Sequence, residues 1–392
     1  MKFKRWPNYT QTEIEAALNV LSSGKVNYWT GSECKDFEKE FANYVGSKFG
    51  VALANGSVAL EAGYKAIGIK EGDEIITTPR TFIATSMAAI NLGAKPIFAD
   101  VDITTGCISQ SKIEPLITKN TKAISVVHIG GWPADMENIC KIANKYKLYV
   151  IEDCSQAHGA KIKIGGLYRS VGSFGNLSCW SFCQDKIIST AGEGGMITTN
   201  DQEIHEKIWS YKDHGKLYKS LFNKQNSTGY KYSYEDLGSN YRMTEIQASI
   251  GRIQLKNLDE TQKIREKNAS ILFSTLNKLE LLRVPIPPKS VKHAWYKFYA
   301  YINEEKLSMN WSRDKIINKL TEEGFPVFTG SCSEIYMEKC IKRLNMQPPN
   351  RLNNARKLGE TSLSFLVDPL ISIEEMHEYS ENVKKVLKCA SN

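Results

Sequence analysis

The sequence predicts an α/β fold, with a mostly parallel central sheet flanked by helices and a smaller C-terminal α+β domain. Three observations carry this. Short apolar runs alternate with helical segments through the first two-thirds of the chain, as in strands buried on both faces and connected by crossover helices. Several of these runs end in glycine or small polar residues. Beyond about residue 255 the alternation stops, and a long helical stretch and aromatic strands follow. We therefore divide the chain into residues 1–255, an N-terminal arm and large domain, and residues 256–392, a small domain. With 392 residues, 42% of them hydrophobic, the chain can fill a large core.

The elements follow in order. TQTEIEAALNVLSSG has Thr10 as its N-cap, apolar residues at helical spacing, and a stop at Gly24. FGVALANG is a strand running into a turn at Asn55-Gly56, and SVALEAGYKAIGI is the helix after it. DEIITTP is a strand, TSMAAINLG a helix and KPIFADVD a strand. KAISVVHIGG is a strand ending in glycines, MENICKIANKYK a helix, and LYVIEDCSQ a strand. IGRIQLKNLDETQKIREKNASILFSTLNKL reads as one long helix or a bent pair. WYKFYAYIN and FPVFTG are strands of the smaller unit, and EEMHEYSENVKKVLKC is a closing amphipathic helix.

Composition narrows the function classes. The net charge is +8, but Lys and Arg are scattered rather than gathered in a stripe, which argues against nucleic acid and suits an anionic small molecule. The nine cysteines form no C-x-x-C pair and no zinc pattern, so no metal is expected. MKFKRWPNYTQTEIEAALNVL lacks the apolar core of a signal peptide, and no apolar run approaches a membrane span. A reduced, cytoplasmic protein with free thiols is expected.

In open α/β sheets, ligands sit beyond the carboxyl ends of the strands. Asn55-Gly56-Ser57, Thr81-Phe82, His128, Asp153-Cys154-Ser155-Gln156 and Ser181 to Lys186 stand there. Gly56-Ser57, at a strand-to-helix turn, either caps a helix or offers free N–H groups to a phosphate. Asp153 either caps the next turn or holds a cation such as a protonated pyridine nitrogen. Lys186, between Ser181-Phe182 and the glycines of Gly192-Glu193-Gly194-Gly195, is either a surface charge or an amine held for chemistry.

Four segments together, VALANGSVAL, EDCSQAHGA, SFCQDKIISTAGEGGMITTN and GSNYRMTEIQASIG, resemble the sugar-nucleotide aminotransferases of the DegT/StrS type, enzymes of fold type I that use pyridoxal 5′-phosphate (PLP). The resemblance runs over most of the chain. It implies that Lys186 joins covalently to PLP and shuttles a proton between cofactor and substrate carbons. It implies that Asp153 pairs with the pyridinium nitrogen, that Gln156 lies near the ring's 3′-oxygen, and that Phe82 stacks on the ring. Gly56, Ser57 and Ser181 would hold the phosphate. Asn240 would reach the phosphate of the neighbouring subunit, implying a homodimer with shared active sites. Tyr28, Trp29 and Thr30 of NYWTG, and His293 of HAWYKF, would line the sugar-nucleotide pocket, while Trp295-Tyr296 is expected in the core.

The implied reaction moves an amino group from L-glutamate, released as 2-oxoglutarate, to the keto carbon, C4 first, of a nucleotide-linked deoxy sugar. The product would serve surface polysaccharide, with lipopolysaccharide O-antigen the leading pathway. A C3-keto sugar aminotransferase and a non-catalytic PLP-binding regulator are the alternatives. Two departures stand out: Gly-Ser replaces the commoner Gly-Thr in the phosphate turn, and Cys183 stands where many relatives carry histidine.

Overall fold

The computed structural model describes residues 3–4, 6–221 and 234–392. Two helices, α1 (Gln11–Ser23) and α2 (Glu33–Val45), precede the first strand, β1 (Phe49–Leu53). The chain then alternates: α3 (Gly56–Ala66), β2 (Glu74–Thr77), α4 (Ala84–Asn91), β3 (Lys95–Phe98), β4 (Thr121–Val127), α5 (Met136–Tyr146) and β5 (Tyr149–Asp153). A hairpin of β6 (Lys161–Ile164) and β7 (Leu167–Ser170) leads to β8 (Leu177–Ser181), β9 (Gly195–Thr199) and α6 (Gln202–Lys212). After α7 (Glu245–Lys256) and α8 (Leu258–Leu276) come β10 (Leu282–Arg283), β11 (Val291–Lys292) and β12 (Phe298–Ile302). The rest is α9 (Arg313–Glu322), β13 (Val327–Phe328), α10 (Lys339–Arg343), α11 (Asn353–Thr361), β14 (Ser362–Phe365) and α12 (Ile373–Ala390).

The central sheet has seven strands in the order β1-β9-β8-β5-β4-β2-β3. Strands β8, β5, β4, β2 and β3 are parallel, and β9 runs antiparallel to both its neighbours. β8 and β9 are buried at every position, which explains the apolar and small residues of LSCWS and GMITT. Gly195 opens β9, and the segment between β8 and β9 carries Lys186. The capping boxes at Thr10–Glu13 and Ser372–Glu375 fix the starts of α1 and α12. The long stretch after residue 250 is a bent pair, broken at Asn257 between α7 and α8.

The C-terminal part forms an antiparallel sheet, β10-β12-β14-β13, with α8, α9 and α12 packed on it. Its core gathers Leu272, Leu276, Phe298, Leu363, Phe365, Tyr379 and Leu387, together with Phe3 from the N-terminal arm. β11 leaves this part to pair with β6, so the hairpin after β5 becomes a three-stranded sheet tying the two parts together. Among the described residues, no helix is long and apolar enough to cross a membrane, and all nine cysteines are free thiols.

Candidate active site

A cavity of about 840 Å³ opens at the carboxyl ends of β5 and β8, within the range of small-molecule sites. Gly56, Ser57, Phe82, Asp153, Gln156, Ser181 and Lys186 all line it. Seven residues scattered over the sequence thus face one space, because parallel strands deliver their following turns to the same edge of the sheet.

One wall is the start of α3. Asn55 caps this helix, its side chain accepting from the Val58 N–H at 3.0 Å. A Cβ on Gly56 would stand 2.6 Å from the Cβ of Ser181, so only glycine lets the helix start lie against the end of β8. Asp153 is buried at the floor. Its Oδ2 accepts from Thr85 Oγ1 at 2.8 Å and its Oδ1 from the Ser155 N–H at 3.2 Å. Thr81, just before α4, and Thr85, in its first turn, share a hydroxyl hydrogen bond of 2.9 Å. No cation lies within ion-pair distance of Asp153 among the described residues, so a buried carboxylate faces the cavity without a counter-charge.

Lys186 enters from the segment between β8 and β9. Its Nζ lies 3.2 Å from Asp185 Oδ1 and 3.4 Å from the Tyr296 hydroxyl, and 5.2 Å from the centre of the Tyr296 ring. Tyr296 donates to the other oxygen of Asp185. Burial, followed by the Asp185 carboxylate beside it, drives the Tyr296 hydroxyl well above its ordinary range, so it stays protonated. Burial raises Asp185, but the Lys186 ammonium and the Tyr296 hydrogen bond outweigh it and hold that carboxyl below its usual value. Gln156 is fixed by the Gly130 N–H, which donates to its Oε1 at 2.7 Å. Phe82 stands at the mouth, 67% exposed.

The other expected residues lie elsewhere. Tyr28 is buried outside the cavity, its ring 3.6 Å from Lys212 Nζ and its hydroxyl shared with Glu38 and Trp209. Trp29 packs edge-on against Trp209. Thr30 and Gly31 form a turn whose N–H groups return to Asn27, and Glu245 fills the space beside Gly31 while accepting from the first N–H groups of α2. His293 stacks on Trp295 at 4.1 Å; it is half-buried and does not line the cavity. Asn240 is exposed and pairs with Asp213, beside the end of β1 and outside this chain's cavity.

Residues that the sequence reading did not single out complete the walls: Thr85, Asp185, Ser331, Cys332, Ile335 and Glu338. Tyr296, expected in the core, is buried and also reaches the cavity. Thr85 follows Thr81-Phe82 closely in the chain, so its neighbourhood is a signal that points to the first of these. The residues from 331 on carry none, since only the tertiary fold brings them there.

Among the described residues, one group brings metal-type ligands together: His128, Glu152 and Cys154. Its lone pairs are already used. His128 Nδ1 accepts from the Ala134 N–H, so its Nε2 donates to Glu152 at 3.1 Å. Glu152 also accepts from the N–H groups of Gly172, Phe174 and Gly175. The cluster fastens the turn before β8 to β5.

Comparison with known proteins bears on this cavity directly. The model of the DegT/DnrJ/EryC1/StrS aminotransferase family matches residues 7–384. The chain is 38% identical over 378 residues to the dTDP-3-amino-3,6-dideoxy-α-D-galactopyranose transaminase of Aneurinibacillus thermoaerophilus, covering 96% of this chain and 95% of that one. The crystal structure of an aminotransferase from Psychrobacter cryohalolentis superposes with a TM-score of 0.96 at 45% identity, covering 100% of both chains. A Bacillus subtilis protein solved with bound pyridoxamine phosphate superposes with a TM-score of 0.83 at 27% identity, covering 99% of this chain and 86% of that one. The fold is that of the PLP-dependent enzymes of fold type I, and PLP is the cofactor. This chain belongs to the DegT/DnrJ/EryC1/StrS aminotransferase family.

Proposed function

We propose that this aminotransferase moves an amino group from L-glutamate to the keto carbon of a nucleotide-linked deoxy sugar, in the cytoplasm, as a homodimer with shared active sites. The observation that carries the reading is the pairing, in one cavity, of a lysine amine with a buried carboxylate that has no counter-ion. PLP fits that arrangement: its ring nitrogen is the cation Asp153 lacks, and its phosphate suits the helix start at Gly56-Ser57 beside Ser181. When bound, PLP supplies an aldehyde that takes up amines and an electron-withdrawing ring.

The chain's own residues would do the following. Asp153, held by Thr85 and Ser155, keeps a proton on the ring nitrogen. Gly56, Ser57 and Ser181 bind the phosphate through N–H and hydroxyl groups. Gln156 stands by the ring's 3′-oxygen, and Phe82 covers one face. Lys186 Nζ holds the cofactor between turnovers, and when released carries the proton from donor carbon to acceptor carbon. Asp185 and Tyr296 hold that amine at the wall, their hydrogen bonds leaving it one place to rest. Asn240 of one subunit completes the phosphate site of the other.

Amination at C4 is the expected outcome. The Aneurinibacillus relative's name specifies a 3-amino sugar, which favours C3 as a second reading. Surface polysaccharide, O-antigen included, is the proposed use of the product. The mild positive charge of the chain favours an anionic diphosphate substrate.

The visible absorption spectrum of the purified protein, before and after L-glutamate, tests the donor half. A lysine-bound cofactor band bleached by glutamate is expected; Lys186→Ala should lose that band and all multiple turnover while keeping its fold. A band that glutamate leaves untouched would overturn the donor assignment. Carbon NMR of the amino sugar made from C3-keto and C4-keto nucleotide sugars then decides the position.

A further inference from the structure

Behind the cavity lies a cation without a counter-charge. Arg80 is 1% exposed, and among the described residues it forms no ion pair. Its Nη1 donates to Ser333 Oγ, while Nε and Nη2 have no hydrogen-bond partner. The rings of Tyr299 and Tyr301 lie 5.1 and 5.8 Å from the guanidinium carbon. A second guanidinium, Arg283, sits 4.4 Å from the same Tyr301 ring and also forms no ion pair among the described residues. Burial lowers Arg283 below its ordinary range; Tyr301 and Asp102 oppose this, and the like charge of Arg80 adds to it. The nearby acid, Asp102, spends an oxygen on the Thr104 and Thr105 N–H groups.

Ring faces offset part of the cost of a buried cation, but they leave two N–H donors unmet. Arg80 lines a small pocket whose other walls include Thr104, Thr105, Trp132, His293 and Tyr299. Its volume is about 20 Å³, enough for one water or one small ion and too little for a sugar or an amino acid. A water would satisfy the donors and leave the charge; an anion satisfies both.

We propose that this pocket binds one small inorganic anion, of the size of chloride, on Nε and Nη2 of Arg80. The anion braces two walls of the cofactor cavity. Arg80 leads directly into Thr81 and Phe82, and through Ser333 it holds the segment that contributes Ser331, Cys332 and Ile335.

Bromide replaces chloride and scatters anomalously, so crystals of the full chain grown in bromide test the site. One anomalous peak beside Arg80 is expected. In solution, replacing gluconate by bromide at constant ionic strength should raise the thermal midpoint to a plateau, and Arg80→Met should lose that plateau. A bromide crystal without the peak overturns the proposal, whether or not the variant folds. So does a plateau of equal size in Arg80→Met. L-Glutamate that displaces the bromide would assign the pocket to a carboxylate substrate instead, which also overturns it.

Discussion

Asp153 works by being charged where charge is costly. Its two oxygens accept only neutral donors, the Thr85 hydroxyl and the Ser155 N–H, and no cation pairs with it among the described residues. In the proposed function this carboxylate would hold a protonated ring nitrogen, which is what would keep the ring electron-withdrawing. Asparagine is the informative substitution. Its carbonyl can accept from Ser155 and its amide can donate to Thr85, so the local bonds survive, but an amide cannot hold a proton on the ring nitrogen. Asp153→Asn should reduce kcat of the glutamate half-reaction by about 10²-fold or more with the fold retained by circular dichroism. Stopped-flow absorbance measures this, and an unchanged kcat would remove Asp153 from its role.

At the scale of elements, the turn at Gly56-Ser57, the proposed phosphate site, depends on how closely β9 and α3 approach. A Cβ on Gly195 would collide with the backbone carbonyl of Asn55 and come within 3.0 Å of the Gly56 N–H nitrogen. Neither atom belongs to a flexible side chain, so the helix start must move. Gly195→Ala should cost about 1–3 kcal/mol of stability and weaken PLP binding at the same time, read by a urea titration and by cofactor dissociation. Loss of stability with unaltered cofactor affinity would show that the turn can shift without harming the site. The same geometry explains what the sequence revealed. Asp153 and Ser181 end strands, and Gly56, Ser57, Gln156 and Lys186 come just beyond strand ends, so local pattern pointed to them. Thr85 and Asp185 were within reach as near neighbours of such residues in the chain. Ser331, Cys332 and Glu338 were not, because the small sheet alone brings them to the mouth. NYWTG lies outside this chain's cavity for a physical reason: Tyr28 carries a hydroxyl and an apolar ring, and the fold uses both, against Glu38 of α2 and Lys212. The antiparallel turn into β9 was illegible because glycine serves a tight approach and a strand end equally well.

For the whole molecule, buried histidines set the response to acid. His158 lies among the rings of Phe41, Trp180 and Phe182; burial pushes it down to about 3. His293, stacked on Trp295, is likewise pushed down by burial to about 3. His205, stacked on Phe49, falls to about 4, by burial first and then by the charge of Lys212. In the unfolded chain each takes up a proton near pH 6.5. The folded state therefore binds fewer protons than the unfolded state between that pH and the folded values, and stability must fall as pH falls. The contribution is fully present above about pH 6.5 and is lost progressively as pH drops toward 4. Each histidine adds a slope of at most about 1.4 kcal/mol per pH unit, so the three together reach about 4. Urea midpoints should hold steady from pH 8 to 7 and decline steeply between pH 6 and 5. His158→Phe, which keeps a ring among rings, should remove about a third of that decline. A midpoint that stays flat down to pH 5 would mean that these rings accept protons in the folded state, and that the aromatic packing around them is looser than their burial requires.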